Sequence, residues 1–161
     1  MFGMVAIIRD LLQDDLIIEE IKATDKIGVI REFAGILEAT GRIKDAEHLV
    51  RILLERESIG STGIGDGVAI PHGKLSPISD MVVAFGRSSR GVDFQSLDAK
   101  PVYLFFLLVT PDNKPGDHLK ALARIFRILK NPALREDLKR TADRQELKRL
   151  IYEEDSKYPQ K

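Results

Sequence analysis

Eight consecutive apolar or aromatic residues, Val102-Tyr-Leu-Phe-Phe-Leu-Leu-Val109, stand between Pro101 and Pro111. A run of this kind predicts a central strand buried on both faces, and such a strand needs helices on each side of its sheet. Helical and strand patterns alternate along the rest of the chain, with no low-complexity linker, repeat or composition break. The expected fold is therefore α/β, a single three-layer α/β/α domain with a mixed, largely parallel central sheet flanked by helices. A chain of 161 residues buries a core without disulfide or metal staples. One domain over 1–161 is expected, with an ordered core of about 6–155 and a polar tail at 157–161.

The flanking elements follow from periodicity and end signals. A short helix is predicted around Ala6 to Leu12, then a strand from Leu16 to Ile21. Thr24-Asp25 caps a helix with Ile27, Ile30, Ala34 and Leu37 on one face, ended by Gly41. Asp45 caps the next, in which Ala46, Leu49, Val50, Leu53 and Leu54 recur at helical spacing as far as Arg56. Met81 to Arg87 reads as a strand and Gly91 to Phe94 as a short edge piece. After the turn-rich Asp112 to Gly116, Asp117 is expected to cap a helix facing inward through Leu119, Leu122, Ala123, Phe126 and Leu129. Asn131-Pro132 starts another, and Asp143-Arg-Gln-Glu146 resembles a capping box for the last.

One stretch does not read as scaffold. Glu57-Ser-Ile-Gly-Ser-Thr-Gly-Ile-Gly-Asp-Gly-Val-Ala-Ile-Pro-His-Gly-Lys74 carries glycines at 60, 63, 65 and 67, the mark of backbone that turns through positive φ or lies too close to another group for a Cβ. Val68-Ala69-Ile70 is a brief buried strand, and Pro71, without an N–H, should end it at His72. Nucleotide loops do not fit. Five residues separate Gly67 from Gly73 where the Walker pattern needs four, and Leu75 follows Lys74 where it needs Ser or Thr. Gly63, Gly65 and Gly67 also precede a strand, whereas the dinucleotide fingerprint follows one.

What remains is a histidine at a strand end. Arg56 at a helix end and His118 in the first turn after the central strand are expected to join it, since ligands of open α/β sheets gather beyond strand ends. Neutral imidazole keeps one nitrogen lone pair and attacks phosphorus without a strong base; a backbone carbonyl on the other nitrogen would hold the tautomer. Phosphoryl transfer asks otherwise for positioning and charge stabilisation, which a guanidinium and a second imidazole supply. Against this stand blander readings: Arg56 as a solvated helix-end charge and His118 as an ordinary first-turn residue. His48 reads as a surface residue, and Ser61 and Thr62 as loop-capping hydroxyls. Asp66 could orient the loop but places negative charge near the proposed phosphate. Separations of 24 and 46 residues between the three histidines lack the close pairs of zinc sites, so no metal is expected.

Bulk properties narrow the partners. Lys plus Arg equals Asp plus Glu at 25 each, which gives no overall field toward nucleic acid or anionic lipid. The absence of cysteine removes thiolate chemistry and disulfides. No run approaches a membrane span, and apolar Met1 to Ile8 lacks a preceding basic stretch and meets Arg9-Asp10, so a cytoplasmic protein without a signal peptide is expected.

The segment from Arg56 to Leu75 resembles the phosphorylation-site signature of the fructose/mannitol-type enzyme IIA domains of the bacterial phosphotransferase system, with the nitrogen-regulatory branch nearest. Phe94-Gln-Ser-Leu-Asp98-Ala-Lys-Pro101-Val, followed by the apolar strand, and His118-Leu-Lys-Ala-Leu122 extend the likeness over nearly the whole chain. The resemblance implies that His72 accepts phosphate on Nε2 from the phosphohistidine of HPr or a nitrogen-branch relative. It implies that Arg56 lies beside the phosphate and that His118 is the second active-site histidine, both stabilising charge, and it implies no cofactor. Asp66 stands where a neutral residue such as Asn is familiar, which bears on donor preference and transfer rate. Two roles follow: a regulatory module whose protein contacts depend on phosphate at His72, or a relay to a sugar permease's IIB domain. With no fused IIB or membrane domain in the sequence, the regulatory role is the expectation.

Overall fold

The computed structural model describes residues 8–158. Its elements are α1 (Ile8–Leu11), β1 (Ile17–Ile18), α2 (Lys26–Ala39), α3 (Ala46–Ile59), β2 (Gly63–Gly65), β3 (Val68–Ala69), β4 (His72–Leu75), β5 (Val82–Val92), β6 (Val102–Pro111), α4 (Pro115–Leu129), α5 (Pro132–Arg140) and α6 (Arg144–Ser156). The apolar run is β6, buried at every position except half-buried Tyr103. It lies inside a six-stranded mixed sheet of order β1-β5-β6-β3-β2, with β4 also pairing to β6. β1 with β5, β3 with β6 and β4 with β6 are parallel, while the longest pairing, β5 with β6, is antiparallel.

Side chains alternate across β6, and that alternation assigns the layers. Phe105 packs on Phe33 of α2, and a Cβ on Gly86 of β5 would strike the same Phe33 ring at 2.9 Å. On the opposite face Phe106 meets Phe85 edge-on at 5.1 Å, and Arg87 reaches the Lys139 carbonyl of α5. So α2 and α3 cover one face, and α4 and α5 the other. The expected caps form: the side chains of Asp25, Asp45, Asn131 and Asp143 each accept a first-turn N–H.

Several boundaries differ from expectation for local reasons. The first helix begins at Ile8 among the described residues, and its predicted start at Ala6 lies outside them. The strand expected over Leu16 to Ile21 is two residues long, because a 3₁₀ turn occupies Asp14–Leu16. Gly91-Val92 is no separate edge piece; β5 continues through a register shift so that Val92 pairs with Val102. Asp117 does not cap α4. That helix starts two residues earlier with Pro115 in its first turn and Lys114 at the cap position without a side-chain bond. Of the expected tail, Lys157 and Tyr158 both reach Glu154, and 159–161 lie outside the described residues.

Candidate active site

Pro71 interrupts the ladder as its missing N–H demands, yet the chain does not leave the sheet. Val68 and Ala69 pair with Leu104 and Phe105, and after the break His72 to Leu75 pair in parallel with Leu108 to Pro111. His72 therefore opens a second strand along the same neighbour instead of ending the first. Continuity comes from the Pro71 carbonyl, which accepts the Leu108 N–H at 3.0 Å. Within β4, Gly73 turns toward α3, where a Cβ would lie 2.8 Å from Ile52 Cγ2. Only a bare backbone lets α3 approach that closely. Its neighbour His72 turns to the other face, toward α4.

That close approach delivers Arg56, one helical turn beyond Ile52. The Arg56 Nε–H donates to His72 Nε2 at 3.3 Å, and Nη1 donates to the Gly60 carbonyl at 2.8 Å. The other ring nitrogen of His72, Nδ1, lies 2.7 Å from the Ile70 carbonyl oxygen. A carbonyl only accepts, so Nδ1 carries the proton and Nε2 holds the lone pair. The half-buried ring thus presents its nucleophilic nitrogen to a guanidinium. Burial, above all, holds its basicity below the usual imidazole range; the Arg56 charge adds to this, and the Ile70 carbonyl and Glu57 oppose it without reversing it.

His118 completes the cluster from the first turn of α4, its ring centroid 5.5 Å from that of His72. Its Nδ1 is 2.7 Å from Thr110 Oγ1, on β6 beyond the His72 register position. Only 6% of its surface is exposed. Burial first, then the nearby His72 and Lys74, lower its pKa to about 4. At neutral pH it is an uncharged imidazole able to donate a hydrogen bond, not a cation. All three residues singled out in the sequence thus meet in one place.

The others do not. Asp66 sits at the β2–β3 hairpin tip with φ of 57°, and the adjacent Gly67 carbonyl accepts from Tyr103 and Leu104 at the start of β6. His72 pairs with Leu108, so five or six residues of strand, about 17–20 Å of backbone, separate the position of Asp66 from that of His72. Asp66 is therefore a hairpin-tip residue and not a neighbour of the imidazole. His48 is two turns of α3 from Arg56, about 12 Å along the axis. Ser61 and Thr62 cap the loop, with Ser61 Oγ accepting the Gly63 N–H at 3.0 Å. Of the four loop glycines, Gly65 and Gly67 take positive φ and Gly63 abuts Ser96, whereas Gly60 is extended in open space.

Sequence reasoning overlooked Glu57. Its buried carboxylate accepts the Thr62 N–H at 3.0 Å and the Thr62 hydroxyl, and pairs with Lys26 Nζ at 3.0 Å. The network ties the loop that carries the Gly60 carbonyl to the first turn of α2, and so steadies the bond that Arg56 makes to that carbonyl. In sequence Glu57 looks like one more charge on a polar helix end; only the position of Lys26, 31 residues earlier, reveals it.

Residues 10–154 match the sequence model of the phosphoenolpyruvate-dependent sugar phosphotransferase system EIIA 2 family. The chain is 40% identical over 139 residues to a nitrogen regulatory protein of Bradyrhizobium diazoefficiens, covering 86% of this chain and 90% of that one. It is 36% identical over 136 residues to a fructose-specific EIIA component of Haloferax volcanii, covering 84% and 88%. The crystal structure of the nitrogen regulatory protein IIA-Ntr of Neisseria meningitidis superposes with a TM-score of 0.83 at 30% identity, over 89% of this chain and 98% of that one. The matched span contains β4, the end of α3 and the start of α4, and on these grounds the chain belongs to the EIIA 2 family of the phosphotransferase system.

Proposed function

We propose that this protein is a cytoplasmic phosphohistidine carrier that accepts a phosphoryl group on Nε2 of His72 from an HPr-type phosphocarrier and signals through phosphorylation-dependent protein binding. The observation that carries the reading is the Nδ1–H bond to the Ile70 carbonyl, which leaves the lone pair on the nitrogen facing Arg56. In the transfer, His72 Nε2 forms the new P–N bond while the donor's P–N bond breaks and its electron pair returns to the donor imidazole. The proton on Nδ1 stays where it is. Charge left on the phosphorylated ring is stabilised by the Ile70 carbonyl, and the guanidinium, displaced from Nε2 by phosphorus, turns to the phosphoryl oxygens. His118 donates a neutral hydrogen bond from Nε2 when its Nδ1 accepts from the Thr110 hydroxyl.

The second reading, relay to a fructose- or mannitol-type IIB domain, is favoured by the likeness to a fructose-specific EIIA component. Incubation with Enzyme I, an HPr-type donor and phosphoenolpyruvate tests the shared step: wild type gains one acid-labile phosphate, and His72→Ala gains none. Equal labelling of the two would remove His72 from the reaction. Adding a IIB domain then separates the roles, because a regulatory carrier retains its phosphate and a relay passes it on.

A further inference from the structure

His72 does not stand alone on its face of β4. Residues two apart on a strand share a face, so Lys74 projects on the same side as His72, with Gly73 between them turned to α3. Register places Lys74 beside Thr110, whose hydroxyl contacts His118. Lys74 is exposed, and among the described residues its ammonium has no hydrogen-bond or ion-pair partner. By contrast, Arg56 already holds the Gly60 carbonyl and the His72 ring. When phosphorus displaces it from Nε2, the Nη1 bond to the Gly60 carbonyl still anchors it, which limits how far it can follow the incoming group.

We propose that Lys74 is the second cation of the phosphoryl site, a mobile ammonium that swings onto the phosphoryl oxygens as phosphorus passes to Nε2 of His72. Same-face neighbours on a strand stand about 7 Å apart at Cα, within the reach of a four-carbon stem ending in three donors. A phosphoryl group carries two negative charges on three oxygens, more than one anchored guanidinium can engage. Arg56 then holds the group from the α3 side and Lys74 from the solvent side, with the neutral His118 between. The depressed basicity of His118 accords with this, because Lys74 is one of the charges acting on it. The positions also divide the work: the fixed cation orients the nucleophile before transfer, and the mobile one engages the phosphoryl oxygens during it. This inference rests on His72 being the phosphorylated residue.

Phosphoramidate, a small donor that needs no protein partner, supplies the test. It transfers its phosphoryl group to the ring nitrogen and leaves as ammonia. Wild type, Lys74→Met and Lys74→Arg are labelled, and the titration of the phosphorylated ring is followed by its phosphorus-31 shift. A nearby cation disfavours the protonated ring, so Lys74→Met should titrate about half a pH unit or more above wild type, and Lys74→Arg should return toward it. Labelling should also slow roughly threefold or more in Lys74→Met and recover in Lys74→Arg. A structural role for an exposed side chain would move neither readout. If Lys74→Met titrates and labels as wild type does, Lys74 is idle while His72 remains the acceptor. If no phosphate reaches His72 in wild type, from phosphoramidate or from a protein donor, the underlying reading fails and the role of Lys74 falls with it.

Discussion

The Nδ1–H of His72 on the Ile70 carbonyl and the Arg56 Nε–H on Nε2 are a pair of contacts with opposite duties: one fixes the tautomer, and in the proposed transfer the other marks where negative charge arrives. Arg56→Ala keeps the first and removes the second. Labelling should slow by about 10²-fold, the scale for losing one donor aimed at developing charge, with the far-ultraviolet spectrum unchanged. Unaltered transfer kinetics would take Arg56 out of the mechanism. His118 makes a pH prediction. Its folded pKa of about 4 lies below the ordinary 6.5, so the unfolded chain binds a proton that the folded one refuses as pH falls through that window. Stability is unaffected by this group above pH 6.5 and is lost progressively down to pH 4, by roughly 2–3 kcal/mol at 1.4 kcal/mol per unit. Urea unfolding at pH 7, 5.5 and 4 should show His118→Asn losing less stability than wild type across the range; parallel losses would contradict the burial argument. These three residues were legible because a glycine-rich turn, a proline and strand ends locate them locally. Asp66 misled because adjacency in sequence does not survive a strand running the length of β6, and Glu57 stayed hidden because its partner lies on another helix.

Among the elements, the contact between α3 and β4 decides whether Arg56 reaches His72 at all. Gly73 permits that contact, with Ile52 Cγ2 occupying the space of a Cβ. Gly73→Ala should destabilise the fold by about 1–3 kcal/mol, the usual cost of overpacking, and slow labelling by displacing Arg56. Denaturant unfolding and labelling rate check both; a variant normal in each would mean that α3 yields without cost. The signal for this was partly present. A glycine after Pro71-His72 announced permissive backbone, but which helix would fill the gap is set by packing and left no local trace. Helix ends show the same division. Asp25, Asp45, Asn131 and Asp143 cap as their patterns predict, whereas Asp117 matches the pattern and loses to Pro115, whose preset φ starts α4 a half-turn earlier.

Over the whole molecule, the helical layer that brings His118 to the sheet is pinned far from the site. Asp155 is fully buried on α6, where its carboxylate takes Arg124 Nε of α4 at 2.6 Å and the Arg9 N–H of α1 at 3.2 Å. Asp155→Ala leaves the half-buried Arg124 guanidinium with only the residue 155 carbonyl as a partner and should cost about 3 kcal/mol in urea unfolding, the low end of the range for breaking a buried pair from one side. A loss below 1 kcal/mol would show that water reaches Arg124. No local pattern flagged Asp155, since it sits among Glu153, Glu154 and Ser156 like any polar helix end. The buried central strand was legible because its apolar run needs no partner to be read, whereas the inward face of α4 was misread. Leu119, Ala123 and Phe126 are exposed, and Ala121, Ile125 and Ile128 are buried with Leu129, because the packing of α4 on the sheet and on α1, α5 and α6, not its own apolar count, sets which side turns in. All these supports converge on one atom, and nitrogen-15 to phosphorus-31 coupling in the phosphorylated, isotope-labelled protein reports on it most directly. The coupling should place phosphorus on Nε2 of His72 with the proton retained on Nδ1, whereas phosphorus on Nδ1, or on any other residue, would contradict the account.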